Sequence, residues 1–338
     1  MKSVIFGISG LQLTEEEKAF FNKTQPLGFI LFKRNIDNPE QLRTLVKDLK
    51  SSVSHDYVPI LIDQEGGRVS RLTPPNFREI QKEASFFGKI AEHDLPKAKE
   101  LVFIHYYLIG KELASYGINV DCAPVADISW QITHEVIGNR SFSNNPNIVA
   151  ELCHSSYLGL KAAGVEPIIK HIPGHGRATA DSHLELPRID AKLSDLEESD
   201  FIPFTALPMF KWAMTAHIVY TCLDAELPVT QSPKAIEYIR NSIGYGNALI
   251  TDDINMKALS GSMQEITEKC YDAGCDIILH CSGDMKEMLE VAPHLRVMNQ
   301  SLYNSLKPNE SIIYDEKIAQ YIKTPTEQLE DILSSVNC

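Results

Sequence analysis

Residues 248–281 read ALITDDINMKALSGSMQEITEKCYDAGCDIILHC, and the alternation within them indicates the architecture. An apolar run ends at Asp252, a segment of helical period covers 263–273, and a second apolar run covers 276–281. Short apolar runs joined by a helix are typical of βα units around a parallel sheet. Because the same unit recurs along the chain, the sequence predicts an α/β protein.

Eight such apolar runs predict eight strands, at 3–8, 28–32, 59–63, 119–125, 166–171, 212–218, 248–252 and 276–281. A helical segment follows each of them, at 14–23, 39–53, 96–116, 146–163, 194–206, 232–243, 263–273 and 284–291. Eight strands each followed by a helix favour a closed (β/α)8 TIM barrel, although an open doubly wound sheet of eight strands would give a similar pattern. The first helix carries a capping box, in which Thr14 precedes Glu17 by three residues.

The chain continues beyond the eighth unit, with apolar periodicity at 312–322 and 326–336. We expect these segments to be helices packed outside the barrel. No linker rich in Gly, Ser or Pro divides the sequence. We therefore expect a single barrel domain over 1–338, with a C-terminal helical extension at 301–338.

Composition argues against several functional classes. The 45 acidic and 32 basic residues give a formal net charge of −13, which repels a nucleic-acid backbone. No segment approaches the roughly 18 apolar residues of a membrane helix, and the N-terminal stretch is too polar for a secretory signal. The seven cysteines form no Cys-x-x-Cys pair, so a disulfide framework and a structural zinc site are not expected. We expect a cytoplasmic protein without nucleic-acid or membrane partners.

Ionisable residues end most of the predicted strands. They are Asp63, Asp127, Lys170, His171, His217, Asp252, Asp253 and His280. A polar strand end often marks only the start of a loop. In a barrel, however, the active site lies at the carboxyl ends of the strands, so this concentration indicates a functional site there.

The loop after the fifth strand, at about 172–193, is unusually long, and such loops are usually functional. It contains Asp181 and His183, two residues apart. A carboxylate at that spacing can orient the imidazole and support its protonated form, which gives a proton donor and acceptor near neutral pH. The alternative is an Asx-type turn with an exposed histidine.

Several further residues have two interpretations each. One carboxylate of the pair Asp252 and Asp253 is placed to act as a nucleophile or electrostatic stabiliser, while the other caps the next helical turn. Lys170 and His171 are adjacent on a strand, so one should point away from the barrel axis unless the strand end bends. Arg140 is either a surface arginine or a ligand clamp.

Five motifs in register resemble the single-domain β-N-acetylhexosaminidases of glycoside hydrolase family 3, the NagZ type. The resemblance covers about residues 1–300. The motifs are Asp63-Gln-Glu-Gly-Gly-Arg-Val-Ser-Arg71, Gly138-Asn-Arg140-Ser-Phe, Lys170-His171-Ile-Pro-Gly-His-Gly, Asp181-Ser-His183 and Thr251-Asp252-Asp253-Ile-Asn-Met256.

The resemblance implies a (β/α)8 barrel that removes N-acetylglucosamine with retention of configuration, without a metal or an organic cofactor. It makes Asp252 the nucleophile and His183 the acid/base, held by Asp181. The residues that it assigns to the sugar pocket are Asp63, Arg71, Arg140, Lys170 and His171. The implied substrate is an amino-sugar muropeptide of cytoplasmic cell-wall recycling, N-acetylglucosamine linked to 1,6-anhydro-N-acetylmuramic acid carrying a peptide. We expect a monomer.

The same residues are compatible with two other functions. The first is a metal-dependent hydrolase on a barrel, with ligands drawn from His171, His175, Asp181, His183, Asp252 and Asp253. The second is a catalytically silent sugar-binding protein, which would lack the nucleophile or the proton donor. This sequence retains both.

Overall fold

Eight parallel strands close into a barrel, which confirms the predicted (β/α)8 fold. The computed structural model describes residues 1–79, 82–182, 184–308, 312 and 314–336. The barrel strands are β1 (Lys2–Gly7), β2 (Pro26–Leu31), β3 (Ile60–Ile62), β4 (Val120–Asp121), β5 (Glu166–Ile172), β7 (Trp212–Thr215), β9 (Ala248–Asp253) and β10 (Ile277–His280). Neighbours in the barrel follow chain order, and β10 pairs with β1 to close the ring. The short strands β6 (Arg188–Ile189) and β8 (Val219–Tyr220) pair with each other in a separate sheet.

Helices follow the strands as predicted. They are α1 (Glu15–Thr24), α2 (Pro39–Ser51), α3 (Ala84–Ala91), α4 (Leu95–Ser115), α5 (Pro146–Ala162), α6 (Leu193–Glu197), α7 (Ile202–Ala206), α8 (Pro233–Asn241), α9 (Met263–Ala273), α10 (Met285–Val291), α11 (Gln300–Leu306), α12 (Glu316–Lys323) and α13 (Thr326–Ser334). The single helix predicted at 194–206 is wrong, because α6 and α7 divide this segment. Pro203 has no backbone N–H to donate, so it fits the first turn of a new helix and not a helix interior.

Strand side chains alternate between two buried cores. Ile5 and Ile250 belong to a cluster inside the barrel, whereas Val4, Phe6 and Leu249 pack outward against the helices. Strands that are buried on both faces have near-continuous apolar sequences. This double burial explains why the strands were predictable from apolar runs and not from an alternating pattern.

The C-terminal helices pack outside the barrel, as expected. Leu329 and Leu333 of α13 are buried, and α13 contacts α4. The hydroxyl of Tyr107 on α4 donates a hydrogen bond of 3.2 Å to the carbonyl of Ile322 on α12. The helix predicted at 312–322 is α12, but residues 309–311 and 313 lie outside the described part of the chain. No helix in the described ranges combines the length and apolar character needed to cross a membrane.

The predicted capping box at the start of α1 is confirmed. The Glu17 N–H donates to Thr14 Oγ1 at 3.1 Å, and the Thr14 N–H donates to Glu17 Oε2 at 2.8 Å. The other oxygen of the buried Glu17 carboxylate accepts from the Ser9 N–H at 2.9 Å. The box therefore joins α1 to the loop that follows β1, at the carboxyl end of the barrel.

Removing the Thr14 hydroxyl should destabilise the protein. We expect Thr14→Ala to lower the free energy of unfolding by about 1 kcal/mol, because the Glu17 N–H loses its acceptor. Thr14→Ser keeps the acceptor and is the matched control. Urea denaturation of the three proteins measures the effect, and equal midpoints for Thr14→Ala and the wild type would contradict it.

Candidate active site

A cavity of about 490 Å³ lies at the carboxyl ends of the barrel strands. The predicted site residues that line it are Asp63, Arg71, Arg140, Lys170, His171, Asp181 and Asp252. His183, the remaining predicted residue, lies outside the described residues. Side chains that are up to 189 positions apart in the sequence, from Asp63 to Asp252, thus share one site.

Five alternating charges form one wall of this cavity. Asp63 accepts from Arg71 Nη2 at 3.1 Å and from Lys170 Nζ at 2.9 Å. Lys170 Nζ lies 2.6 Å from Glu65 Oε1. Glu65 in turn accepts two hydrogen bonds from Arg140, at 2.7 Å from Nε and 2.8 Å from Nη2. The charged wall carries three cations and two carboxylates, so its formal charge is +1.

The charged wall keeps its groups ionised although they are largely buried. Burial alone would raise the pKa of Asp63, but Lys170 and Arg71 outweigh it and hold that pKa well below its usual range. Burial also opposes ionisation of Glu65, yet Arg140 and Lys170 lower its pKa to about 2. Burial would lower the pKa of Lys170, but the two carboxylates raise it above its ordinary value. Near neutral pH the wall therefore presents fixed charges to the cavity.

Asp127 lies beneath the cavity and organises the Lys170–His175 segment. Its fully buried carboxylate accepts from the N–H groups of His171 and His175, at 3.1 and 2.6 Å, and pairs with His171 Nδ1 at 2.7 Å. A carboxylate can only accept, so Nδ1 carries the proton. The other ring nitrogen, Nε2, lies 4.0 Å from Asp252 Oδ2. Asp127 therefore fixes the His171 ring beside Asp252.

Lys170 and His171 both line the cavity, although regular alternation would point one of them away. The pairing of β5 with β7 shifts register between Lys170 and Ile172. This irregularity is the bent strand end that the sequence analysis gave as the exception. Lys170 consequently joins the charged wall while His171 contacts Asp127.

Hydrogen bonds hold the loop that carries Asp181 over the cavity. His175 Nε2 lies 3.1 Å from the hydroxyl of the buried Ser182, and the carbonyl of Ser182 accepts from the Ala258 N–H at 3.2 Å. Burial, followed by the charge of His171, lowers the pKa of His175 to about 4, so its ring is neutral near pH 7. Ser182 thus connects the loop to His175, near the start of the loop, and to Ala258, in the segment after β9.

A second contact fixes the same loop further along the chain. The Arg177 guanidinium stacks 4.1 Å over the ring of Trp130, and its Nε donates to Asp200 at 2.7 Å. Gly176 approaches the loop after β4 so closely that a Cβ there would lie 1.9 Å from the Ile128 carbonyl oxygen. Only glycine fits at this position.

Asp252 and Asp253 end β9 and have different surroundings. Asp252 keeps 18% of its side chain exposed, and its Oδ1 accepts from the Asp253 N–H at 2.8 Å. Asp253 Oδ1 accepts from the N–H groups of Asn255 and Cys281, at 3.1 and 3.0 Å. The bond to Asn255 closes a turn and not a helix, because the next helix, α9, begins at Met263 and is capped by Ser262.

Arg34 and Glu65 are among the lining residues that were not predicted as site residues. Arg34 follows β2, donates to the carbonyls of Ile8 and Cys281, and stacks 4.8 Å over Phe32. Arg34 lies two residues after the strand predicted at 28–32, so its position after a strand end was the signal that could have identified it. Glu65 contacts Arg140, 75 residues away, and no local pattern signals that pair.

Two strand-end histidines do not line the cavity. His217 is buried beneath it and contacts Thr230 and the backbone of Asp253. His280 is fully buried, its ring 5.6 Å from that of Phe6, and burial lowers its pKa to about 4. Polarity at a strand end therefore identifies candidates, but the direction of the side chain decides which of them reach the cavity.

Comparison with known proteins gives a consistent result. Residues 2–308 match the glycosyl hydrolase family 3 N terminal domain. A β-hexosaminidase of Alkalilimnicola ehrlichii is 36% identical over 287 residues, which cover 82% of this chain and 80% of that protein. Native NagZ from Neisseria gonorrhoeae superposes with a TM-score of 0.87 at 30% identity, covering 98% of this chain and 97% of its own. Its complex with N-trifluoroacetyl-D-glucosamine gives a TM-score of 0.85, with the same identity and coverage.

Neutralising Glu65 should destabilise the protein strongly. We expect Glu65→Gln to lower the free energy of unfolding by about 3–5 kcal/mol, because Arg140 and Lys170 lose a buried partner. Glu330→Gln, at the partly exposed pair of Glu330 with Arg78, is the control and should cost at most about 1 kcal/mol. Chemical denaturation measures both changes, and similar losses for the two variants would contradict the expectation.

Proposed function

This chain belongs to glycosyl hydrolase family 3 and is a glycoside hydrolase, and from that premise we propose that it removes N-acetylglucosamine from muropeptides with retention of configuration. One observation carries the proposal. The partly exposed carboxylate of Asp252 faces a cavity that also contains the charged wall and the His171 ring. A cavity of about 490 Å³ is within the usual size of small-ligand sites.

Asp252 is the proposed nucleophile. One of its oxygens forms a bond to the anomeric carbon as the glycosidic bond breaks, and the leaving oxygen takes the electron pair and a proton. Water then attacks the anomeric carbon, and the Asp252 carboxylate is released as the water loses a proton. Two displacements on the same carbon give retention. The hydrogen bond from the Asp253 N–H supports this role, because it fixes the direction of the carboxylate.

His183 is the proposed acid and base. It protonates the leaving oxygen in the first step and removes a proton from water in the second. Support comes from the Asp181-Ser-His183 motif and from the two residues before His183. Asp181 and Ser182 both line the cavity, and the Ser182 hydroxyl is hydrogen bonded to His175. An imidazole donor adds no further negative charge beside Asp252 and Asp253.

The charged wall and His171 are the proposed sugar-binding groups. Carboxylate oxygens of Asp63 accept hydrogen bonds from sugar hydroxyls, while Arg71, Arg140, Lys170 and His171 supply donors. The groups are fixed before a sugar arrives, because each charge is already paired. The relative that binds N-trifluoroacetyl-D-glucosamine supports an amino sugar as the ligand.

The proposed natural substrate is N-acetylglucosamine linked to 1,6-anhydro-N-acetylmuramic acid carrying a peptide. Cleavage of such fragments belongs to cell-wall recycling, and we assign this enzyme to the cytoplasm as a single-domain monomer that needs no metal or organic cofactor. The similarity to a β-hexosaminidase over 82% of the chain supports N-acetylglucosamine as the sugar that is removed.

Variants of the two proposed catalytic residues test the mechanism. With a nitrophenyl N-acetylglucosaminide, we expect Asp252→Ala to lower kcat by at least about 1,000-fold, because no other group replaces the nucleophile. We expect His183→Ala to lower kcat/KM by about 100-fold or more, and by less with a dinitrophenyl leaving group that needs no proton. Asp190→Ala, on the exposed part of the same loop, should change kcat by no more than about twofold.

Covalent trapping gives a direct readout of the nucleophile. A fluorinated N-acetylglucosaminyl fluoride should leave a sugar adduct on the wild-type enzyme, and mass mapping should place it on Asp252. An adduct on another residue, or equal rates for the wild type, Asp252→Ala and His183→Ala, would refute the proposed mechanism.

A further inference from the structure

The carboxyl ends of three neighbouring strands are joined at Asp253. From the β7 side, His217 Nε2 contacts the Asp253 carbonyl oxygen at 3.0 Å. From the β10 side, the Cys281 N–H donates to Asp253 Oδ1 at 3.0 Å. Asp253 itself ends β9, so its carbonyl and its side chain each bind one adjacent strand end.

This arrangement acts directly on the neighbouring carboxylate. The Asp253 N–H donates to Asp252 Oδ1 at 2.8 Å. A hydrogen bond from a backbone N–H can orient a carboxylate only if that backbone is itself fixed. The contacts from His217 and Cys281, together with the turn bond from the Asn255 N–H at 3.1 Å, fix it.

His217 is itself held from behind by a buried network. Its Nδ1 lies 2.8 Å from Thr230 Oγ1, and the hydroxyls of Thr215 and Thr230 lie 2.9 Å apart. All three residues are completely buried. The ring therefore cannot rotate away from the Asp253 carbonyl without breaking hydrogen bonds in the core.

An acceptor oxygen at Asp253 is needed in this geometry, and a negative charge is not. Burial raises the pKa of Asp253 to about 6, against the opposing effect of the Asn255 and Cys281 N–H groups. Arg34 attracts the Asp253 carboxylate electrostatically, but within the described ranges of the chain it forms no ion pair with it. An amide oxygen can accept the same two hydrogen bonds, so an asparagine should replace it.

We propose that Asp253 is a positioning residue that holds the carboxylate of Asp252 in line for attack, by tying the ends of β7 and β10 to the end of β9. The inference rests on the proposed function, since it needs Asp252 to be the nucleophile. Misplacing a reacting group by about 1 Å can cost about 100-fold in rate, so the effect is measurable.

The test compares Asp253→Asn with Asp253→Ala. For Asp253→Ala we expect kcat/KM to fall by about 100-fold, with trapping by the fluorinated sugar slowed to the same extent. For Asp253→Asn we expect a fall of no more than about threefold, because the amide oxygen keeps both hydrogen bonds. The Kd of N-acetylglucosamine, measured by calorimetry, should stay within about twofold in both variants, because only the reacting carboxylate is misplaced.

A second pair of variants approaches the same arrangement from β7, in case Asp253→Ala does not fold. His217→Gln keeps a nitrogen near the Asp253 carbonyl, whereas His217→Leu removes it, so His217→Leu should slow trapping on Asp252 more than His217→Gln does.

The inference is overturned if a folded Asp253→Ala is trapped as fast as the wild type, or if Asp253→Asn loses as much rate as Asp253→Ala. In either case, a wild-type adduct on Asp252 leaves the proposed function standing. A wild-type adduct on another residue overturns the proposed function and this inference together.

Discussion

Lys170 is 2% exposed and carries a charge, and the rest of the site depends on how that charge is stabilised. A buried ammonium group is tolerated only when carboxylates pair with it. Asp63 and Glu65 provide that pairing, and each of them needs a second cation, from Arg71 and Arg140. These pairs form the charged wall. They hold the loops after β3 and β4 in one conformation around the end of β5.

On the opposite side of the cavity, different groups hold the carboxylates. Around Asp252 and Asp253, the printed contacts come from backbone N–H groups and from the rings of His171 and His217. Asp252 keeps 18% of its side chain exposed at the cavity, whereas Asp63 and Glu65 each contact two cations. The two sides of the cavity therefore differ in how their carboxylates are held, by cations on one side and by backbone N–H groups on the other.

The sequence predicted the barrel well, because each barrel strand is buried on both faces and carries a recognisable apolar run. It predicted strand ends less well. The strand expected at 119–125 is reduced to Val120–Asp121, since Pro124 has no N–H for the ladder. The helix at 194–206 was divided for a similar reason, the proline at 203.

The candidate site was predictable where a polar side chain directly follows an apolar run, as at Asp63, Lys170 and Asp252. It was not predictable where the role of a residue depends on a distant partner. The sequence favoured a surface position for Arg140, whereas its side chain is largely buried and pairs with Glu65. Asp127 gave no sign that it binds both His171 and His175, because this contact exists only once β4 and β5 are adjacent.

The chain has two tryptophans, and they lie in different surroundings. Trp212 is completely enclosed within the barrel, whereas Trp130 is partly buried and stacks with Arg177 of the loop after β5. A guanidinium in contact with an indole affects its emission, and so does exposure to water. A change in the contact between Trp130 and Arg177 should therefore change the intrinsic fluorescence of the protein, without any added dye.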